Sequence, residues 1–501
     1  MVLIPGTCLA QSQRTFQVKL GANVPAKSIE GRLIVFVIAD SSKVPKETEP
    51  VDGPFWDDPQ PLFATDVKLT SGNTATLDDQ SDHFPIPPSK LAPGKYRAQA
   101  RLDLQHTNSN WRREAGNLWS DEVSFMVTTS NEKQAIELVL SNVVAKEQYK
   151  QIAGVEWFEV RSTLLSQFRG RDVMLRAGVV LPIDYNPSRK YPVIYEVPGF
   201  GGDHRDAERR RATSKDDKSD AATLARNTFR IVLDPEGPNG HTLFADSANN
   251  GPCGQALVQE LIPALEAKYP LIAVPSARLL RGHSSGGWST LWLATRYPTV
   301  FGATWSSAPD PVDFRRFQKV DIYGQPNFYA DFKGTDLPSL RKGDVVEMTI
   351  RQESRGEDVL GPDNTSAQQW DSWFATFGPK NASGNPAALF DPGTGQIDSK
   401  IAEHYRQYDI SYQLQKNPTE LAPIFQSAIR LVVGTEDSFY LNEAVALLDA
   451  ELAQHGRKPT DRGYIKMIPG DHGSIFGSDT LKAFPREMLD HLRIAGHVNV
   501  Q

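Results

Sequence analysis

Six residues, Gly282-His283-Ser284-Ser285-Gly286-Gly287, stand between an apolar run ending at Arg281 and a segment of helical pattern beginning at Trp288. A Gly-x-Ser-x-Gly pattern by itself arises by chance in roughly one chain in five of this length. Its context constrains the chain much further. The pattern follows a strand read over 277–281 and precedes a helix read to about residue 296, which is the setting of a nucleophile elbow. There a serine sits on a strained turn, and the flanking glycines let backbone approach where a Cβ would clash. An ordinary tight turn between strand and helix is the alternative reading.

The surrounding pattern supplies the sheet that such an elbow needs. Segments 157–167 and 172–181 flank Arg169-Gly170-Arg171 and read as a hairpin. Strands then follow at 192–197, 229–233, 277–281, 301–306, 429–433 and 464–468, with helices at 221–226, 254–269, 441–455 and 479–494. Strands alternating with helices predict an α/β fold with a mostly parallel sheet covered on both faces. One region, about 310–423, breaks the alternation. It is roughly a hundred residues long, rich in aromatic residues, glycine and proline, and includes Trp370-Asp371-Ser372-Trp373-Phe374. An insertion of that size is expected to be functional, as a lid over a site, or a small subdomain of its own.

The first part of the chain has a different grammar. Short apolar or alternating runs at 15–20, 31–39, 63–69, 94–103 and 122–127 are separated by turn residues such as Ser71-Gly72-Asn73 and Ala92-Pro93-Gly94. Strands without intervening helices predict a small all-β sandwich of immunoglobulin-like architecture over 11–130. The polar stretch 130–150 reads as a linker or short helix, so the catalytic candidate occupies 131–501. Residues 1–10, MVLIPGTCLA, read as the tail of a secretory signal peptide cleaved after Ala10, which predicts a periplasmic or secreted protein.

Composition closes several routes. With 54 Lys+Arg against 61 Asp+Glu the net charge is −7, which argues against nucleic acid as a partner. The longest apolar run, 33–39, is far shorter than a membrane span. Two cysteines, Cys8 and Cys253, exclude a disulfide framework and a thiolate zinc site. There is no His-Glu-x-x-His motif, no phosphate-binding Gly-x-x-x-x-Gly-Lys-Ser/Thr, and no dinucleotide fingerprint in the Gly199 loop. No metal or cofactor is expected. The mixed-charge run 204–220 reads as a solvated loop, and nothing in the chain sets an oligomeric state.

A serine hydroxyl becomes a nucleophile only beside a base, and in this fold the partners follow in the order serine, acid, histidine. Of the late histidines, His455 and His491 fall on helices and His497 lies in the tail. His472 lies in Pro469-Gly470-Asp471-His472-Gly473-Ser474, directly after a strand. Asp437 follows the strand 429–433 and so comes to the carboxyl edge of the sheet; Glu436 is its rival, and capping of the next helix is the alternative role for Asp437. Stabilising an oxyanion calls for aimed N–H donors. Ser285 can give one, and Phe200 or Gly201 in the loop Val197-Pro198-Gly199-Phe200-Gly201-Gly202 the other. Gly199 in that loop, with His241 and Phe244 after the strand 229–233, are candidates for lining a pocket.

Ser284, Asp437 and His472, with the Gly199 loop and the β/α alternation, resemble the α/β-hydrolase fold. More narrowly, 282–287, 434–440 and Asp471-His472-Gly473 are similar to the family described as "putative esterase" (esterase D, enterochelin esterase-like), over roughly 170–310 and 425–495. Some members of that family carry an N-terminal immunoglobulin-like domain. The resemblance implies a metal-free serine hydrolase acting on carboxylic esters, with feruloyl, acetyl and similar small or carbohydrate-linked esters as the substrate class. A serine peptidase of the same fold and a non-catalytic binding protein are the competing readings. The long insertion departs from compact members of the family and leaves the substrate open.

Overall fold

Alternation of apolar and polar residues dictates the first of two compact units, which is formed by residues 1–148 together with 351–366. The computed structural model describes residues 14–24, 28–53, 56, 58–104, 112, 114–129, 133–146, 148–210, 217–456, 458 and 460–498. The signal-peptide reading at 1–10, with Cys8, and residues 211–216 of the mixed-charge run therefore lie outside the described residues. In the strand Ile29–Ala39 every residue from Arg32 to Ile38 is buried, because both faces of the strand are covered. Leu33, Val35 and Val37 pack with Phe16, Val18, Phe63, Leu138 and Leu140, and the Phe16 and Phe63 rings stack 5.2 Å apart. Ile34 and Phe36 point the other way, into a second cluster with Leu62, Phe84, Val359 and Leu360. Each such side chain contributes about 1.5–3 kcal/mol by leaving water.

Gly94–Asp103 is the central strand of this unit, paired with Ile29–Ala39, Val123–Val127 and, at its far end, Leu118–Ser120. The stretch expected as linker or short helix is instead the strand Gln134–Val143, which pairs in parallel with Arg14–Leu20. Its alternation is plain once paired: Ile136, Leu138 and Leu140 face inward, while Glu137 is exposed. The β unit therefore runs past residue 130. It also takes in 351–366, which the sequence places in the insertion. Arg32 donates to Val359 O at 2.8 Å from this segment and pairs with Asp66 and Asp82.

The second unit, 149–350 with 367–501, is built on an eight-stranded sheet. In spatial order the strands are Val155–Ser162, Val173–Val180, Phe229–Leu233, Val193–Val197, Arg278–His283, Ala303–Ser307, Ile429–Gly434 and Tyr464–Ile468. The first two junctions are antiparallel and the rest parallel. This is the mixed α/β fold expected, with the strands of near-continuous apolar sequence buried between helices. The expected hairpin exists, but its connection is the helix Thr163–Arg169, ended by Gly170 at φ 65°. Among the described residues no helix is long and apolar enough to cross a membrane.

The part of the insertion that stays in this unit is well ordered by packing. It contains an antiparallel hairpin, Pro338–Lys342 with Val345–Thr349, and the helices Gln369–Phe377, Ser399–Tyr405, Ile410–Lys416 and Pro418–Ala428. Trp370, Trp373, Phe374 and Phe377 join the same core as the central sheet.

Candidate active site

The carboxyl ends of the parallel strands gather the site. Arg278–His283 runs between its neighbours with Val197 beside Gly282 and Ser307 beside His283. The chain then reverses at Ser284, φ 58° and ψ −128°, and the helix Ser285–Arg296 starts at once. A side-chain-bearing residue held there costs about 1–3 kcal/mol, and three backbone bonds hold it. Ser284 N–H donates to Ser307 O (3.0 Å), and Ser284 O accepts from Trp288 N–H (3.0 Å) and Asp310 N–H (3.3 Å). The glycines are required sterically. A Cβ on Gly282 would lie 2.1 Å from Gly286 O, and one on Gly286 would lie 2.0 Å from Val197 O.

Ser285 opens the helix, fully buried, and no acceptor among the described residues takes its N–H. That donor sits at the positive end of the helix dipole. The Gly199 loop arrives alongside: a Cβ on Gly199 would stand 3.3 Å from Ser284 Cβ and 4.0 Å from its Oγ. Gly202 N–H closes the turn onto Gly199 O (3.0 Å), and Gly201 adopts φ 75°. Phe200 is partly exposed in the same turn.

His241 supports this loop from the protein side. It is fully buried, its Nε2 donates to Pro198 O at 3.0 Å, and its Nδ1 accepts from Leu243 N–H at 3.1 Å. Those partners set the neutral tautomer, and burial pushes its pKa down to about 4. Phe244 is buried in the main core. Both ring nitrogens of His241 are thus engaged within the protein.

On the other side of Ser284, two loops interlock. Thr435 N–H donates to Ile468 O (2.8 Å) and Glu436 N–H to Gly470 O (3.0 Å). Gly434 permits this, since a Cβ there would lie 2.2 Å from Gly470 O. Asp437 is turned inward and fully buried, whereas Glu436 is exposed. His472 Nδ1 donates to Asp437 Oδ2 at 2.8 Å. The other oxygen of Asp437 accepts from Phe439 N–H (2.9 Å) and Leu441 N–H (3.3 Å), so the carboxylate also takes the first free N–H of the helix Leu441–Ala453, whose N-cap is Tyr440. The His472 ring lies between His283 (centroids 4.5 Å apart) and Phe439 (4.9 Å). Burial, then the neighbouring His472, Arg281 and Arg210, hold the His283 pKa well below the ordinary histidine range.

Among the described residues Ser284 Oγ makes no hydrogen bond, to His472 or to any other group. The two share one edge of the sheet through the His283–His472 ring contact, and bonds of this kind commonly tighten only with substrate present. The other late histidines are engaged elsewhere: His455 pairs with Glu451, and His491 and His497 with Ser276. Among the described residues no group of His, Cys, Asp and Glu could hold a metal ion.

Three neighbours of the site escape sequence reasoning. Asp310, there only the start of the insertion, is buried and accepts from Ser285 Oγ–H (2.7 Å) and Trp373 Nε1–H (2.8 Å). Its signal is the one that picked out Asp437, an aspartate just after a sheet strand. Trp373 comes from the inserted helix Gln369–Phe377. Arg341, from the inserted hairpin, donates from Nε to Asp437 O (3.0 Å) and from its backbone N–H to Ser438 O (2.9 Å), and its guanidinium stacks 4.5 Å from the Tyr440 ring centroid. The insertion is thus part of the frame around the site.

Sheet, elbow and edge together define an α/β-hydrolase, a carboxylic ester hydrolase by class. The chain belongs to the family described as "Putative esterase", whose model matches residues 172–493, more than half of its length. Among curated protein sequences none matches this chain. Solved structures similar to it include a ferulic acid esterase at 14% identity, covering 67% of this chain and 98% of that one with a TM-score of 0.41. Another is a ferulic acid esterase from Anaeromyces mucronatus, at 13% identity, 68% and 92% coverage and a TM-score of 0.32. An S-formylglutathione hydrolase from Agrobacterium tumefaciens gives 14%, 68% and 98%, and 0.36.

Proposed function

We propose that this chain hydrolyses carboxylic esters through a Ser284–His472–Asp437 triad and an acyl-enzyme. The observation that carries the reading is the 2.8 Å bond between His472 Nδ1 and the buried Asp437, formed at the sheet edge where Ser284 is held in a strained turn. With its proton on Nδ1, His472 offers Nε2 as the base. Ser284 Oγ attacks the ester carbonyl carbon as Nε2 takes its proton. The oxyanion that develops meets the N–H of Ser285 and an N–H of the Gly199–Gly201 turn. Collapse expels the alcohol, which takes the proton back from His472, and leaves an ester on Ser284. Water, deprotonated by His472, then releases the acid. The substrate class is small to medium acyl esters, feruloyl and acetyl among them, with the inserted segment as the wall on the acyl side.

The test is hydrolysis of a panel of p-nitrophenyl and methyl hydroxycinnamate esters, with matched amides, by wild type and Ser284→Ala. Ester turnover that disappears in the variant, together with fluorophosphonate labelling of wild type alone, is expected. Amide turnover exceeding ester turnover would point to a peptidase, and failure of wild type both to turn over and to label would sink the catalytic reading.

A further inference from the structure

Asp310 buries its carboxylate within the second unit. It is 3% exposed, and among the described residues no lysine or arginine pairs with it. Its two donors, the Ser285 hydroxyl and the Trp373 indole N–H, are neutral and converge on the same oxygen, Oδ2. Its backbone N–H reaches back to Ser284 O at 3.3 Å. A buried carboxylate without a counter-charge is costly, and burial accordingly raises its pKa to about 6, against the lowering by its two hydrogen bonds. The titratable groups whose charge it feels are His472, favourably, and Asp437, unfavourably. Only His472 among these gains a positive charge, and in ester hydrolysis it does so in the transition state.

We propose that Asp310 is a positioning residue for the hydrolysis. Its carboxylate fixes Ser285, whose N–H faces the oxyanion, and gives the His472 imidazolium a second negative charge beside Asp437. Trp373 anchors that carboxylate, so the inserted segment reaches the reacting groups through this bond. The inference rests on the triad reading above. It adds a role for a residue that contacts neither the ester nor the attacking oxygen.

Asp310→Asn keeps the shape and both hydrogen bonds, because the amide oxygen accepts as the carboxylate did, and removes only the charge. The expected result is a kcat lowered roughly ten-fold, the size of one pKa unit of lost interaction, with KM within about two-fold. Ser285→Ala cuts the tie between the carboxylate and the residue that carries the oxyanion N–H, so kcat falls, again with KM within about two-fold. Unchanged kcat in a folded, fluorophosphonate-reactive Asp310→Asn would overturn the proposal while leaving the triad intact. Should Asp310→Asn not fold, wild-type kcat in Ser285→Ala overturns it equally. If wild-type protein neither hydrolyses esters nor labels, the parent reading fails, and this one with it.

Discussion

The imidazole of His472 is held by Asp437 at 2.8 Å, while Glu436, one residue earlier, is exposed. Two adjacent acids thus differ completely in reach. Asp437→Asn replaces an acceptor-only group by one that can also donate, so His472 turns to the other tautomer and loses its free Nε2 lone pair. The expected loss is roughly 10³–10⁴-fold in kcat. Glu436→Gln is expected to stay within about two-fold of wild type. Steady-state kinetics on any active p-nitrophenyl ester separates the two, and equal losses in both variants would contradict the assignment.

Glycines 286 and 199 make a second pair of contrasting predictions. A Cβ on Gly286 would sit 2.0 Å from Val197 O, backbone against backbone, so Gly286→Ala is expected to yield little folded protein. At Gly199 the nearest atoms would be His283 O at 3.2 Å and Ser284 Cβ at 3.3 Å. A shift of a few tenths of an ångström relieves that. Gly199→Ala should therefore fold with a melting temperature near wild type but lose roughly ten-fold in kcat, since placement errors well below 1 Å act on the reacting atoms. Thermal denaturation and kinetics on the same preparation decide both.

What could be read in advance follows the range of the interactions. The strand Phe229–Leu233 and the elbow at Ser284 are local: a short apolar run, or glycines around a serine, carries its own instruction. The strand Gln134–Val143 is not legible because Lys133, Gln134 and Glu137 give the stretch a polar character and adjacent apolar residues (Ala135-Ile136, Leu138-Val139-Leu140) blur the alternation; only pairing with Arg14–Leu20, over a hundred residues away, makes the period visible. Residues 351–366 are the extreme case. Nothing local marks Val359 and Leu360 as partners of Ile34 and Phe36. At the site, Asp437 and Glu436 lie on a turn with no period to choose between them, and the burial of one decides. Asp310 carries the same positional signal, but in the sequence it also marks the border of the insertion, and only its burial distinguishes it.

His241 predicts a pH-dependent contribution to stability with a definite sign. Its folded-state pKa, about 4, lies below the unfolded value because burial disfavours the charged ring. Between those values the unfolded chain binds the extra proton. The contribution is therefore full above about pH 6.5 and is lost as pH falls toward 4, a change of about 3 kcal/mol. Asp310, raised to about 6, and Asp409, raised to about 7 mainly by burial, act with the opposite sign over the same window. The wild-type profile alone is thus a partial cancellation. His241→Gln, which keeps a donor for Pro198 O, should be less stable than wild type at pH 7.5 and should narrow or reverse that gap by pH 4.5. Urea unfolding at the two pH values measures it, and a gap independent of pH would show that the ring is not held neutral.

The β unit gives the last prediction, because its fold is completed by residues far along the chain. Ile34, Phe36, Leu62, Ala64 and Phe84 present an apolar face that Val359 and Leu360 cover, with Val51 at its margin. Arg32 ties the same segment down through Val359 O, at 2.8 and 3.2 Å from two of its guanidinium nitrogens. A fragment ending at residue 148 retains every strand of the unit but leaves that face bare. Exposed apolar faces of this kind drive association. The fragment is expected to aggregate or bind a hydrophobic dye, and a peptide of residues 350–366 added in trans should suppress both. In the full chain, Leu360→Ala removes a buried leucine and should cost about 2–5 kcal/mol. Since residues 351–366 belong to the β unit, that loss is expected in its unfolding transition, read by calorimetry. A soluble, monomeric, dye-silent fragment indifferent to the peptide would mean that the two-sided burial of Ile29–Ala39 does not decide the stability of this unit.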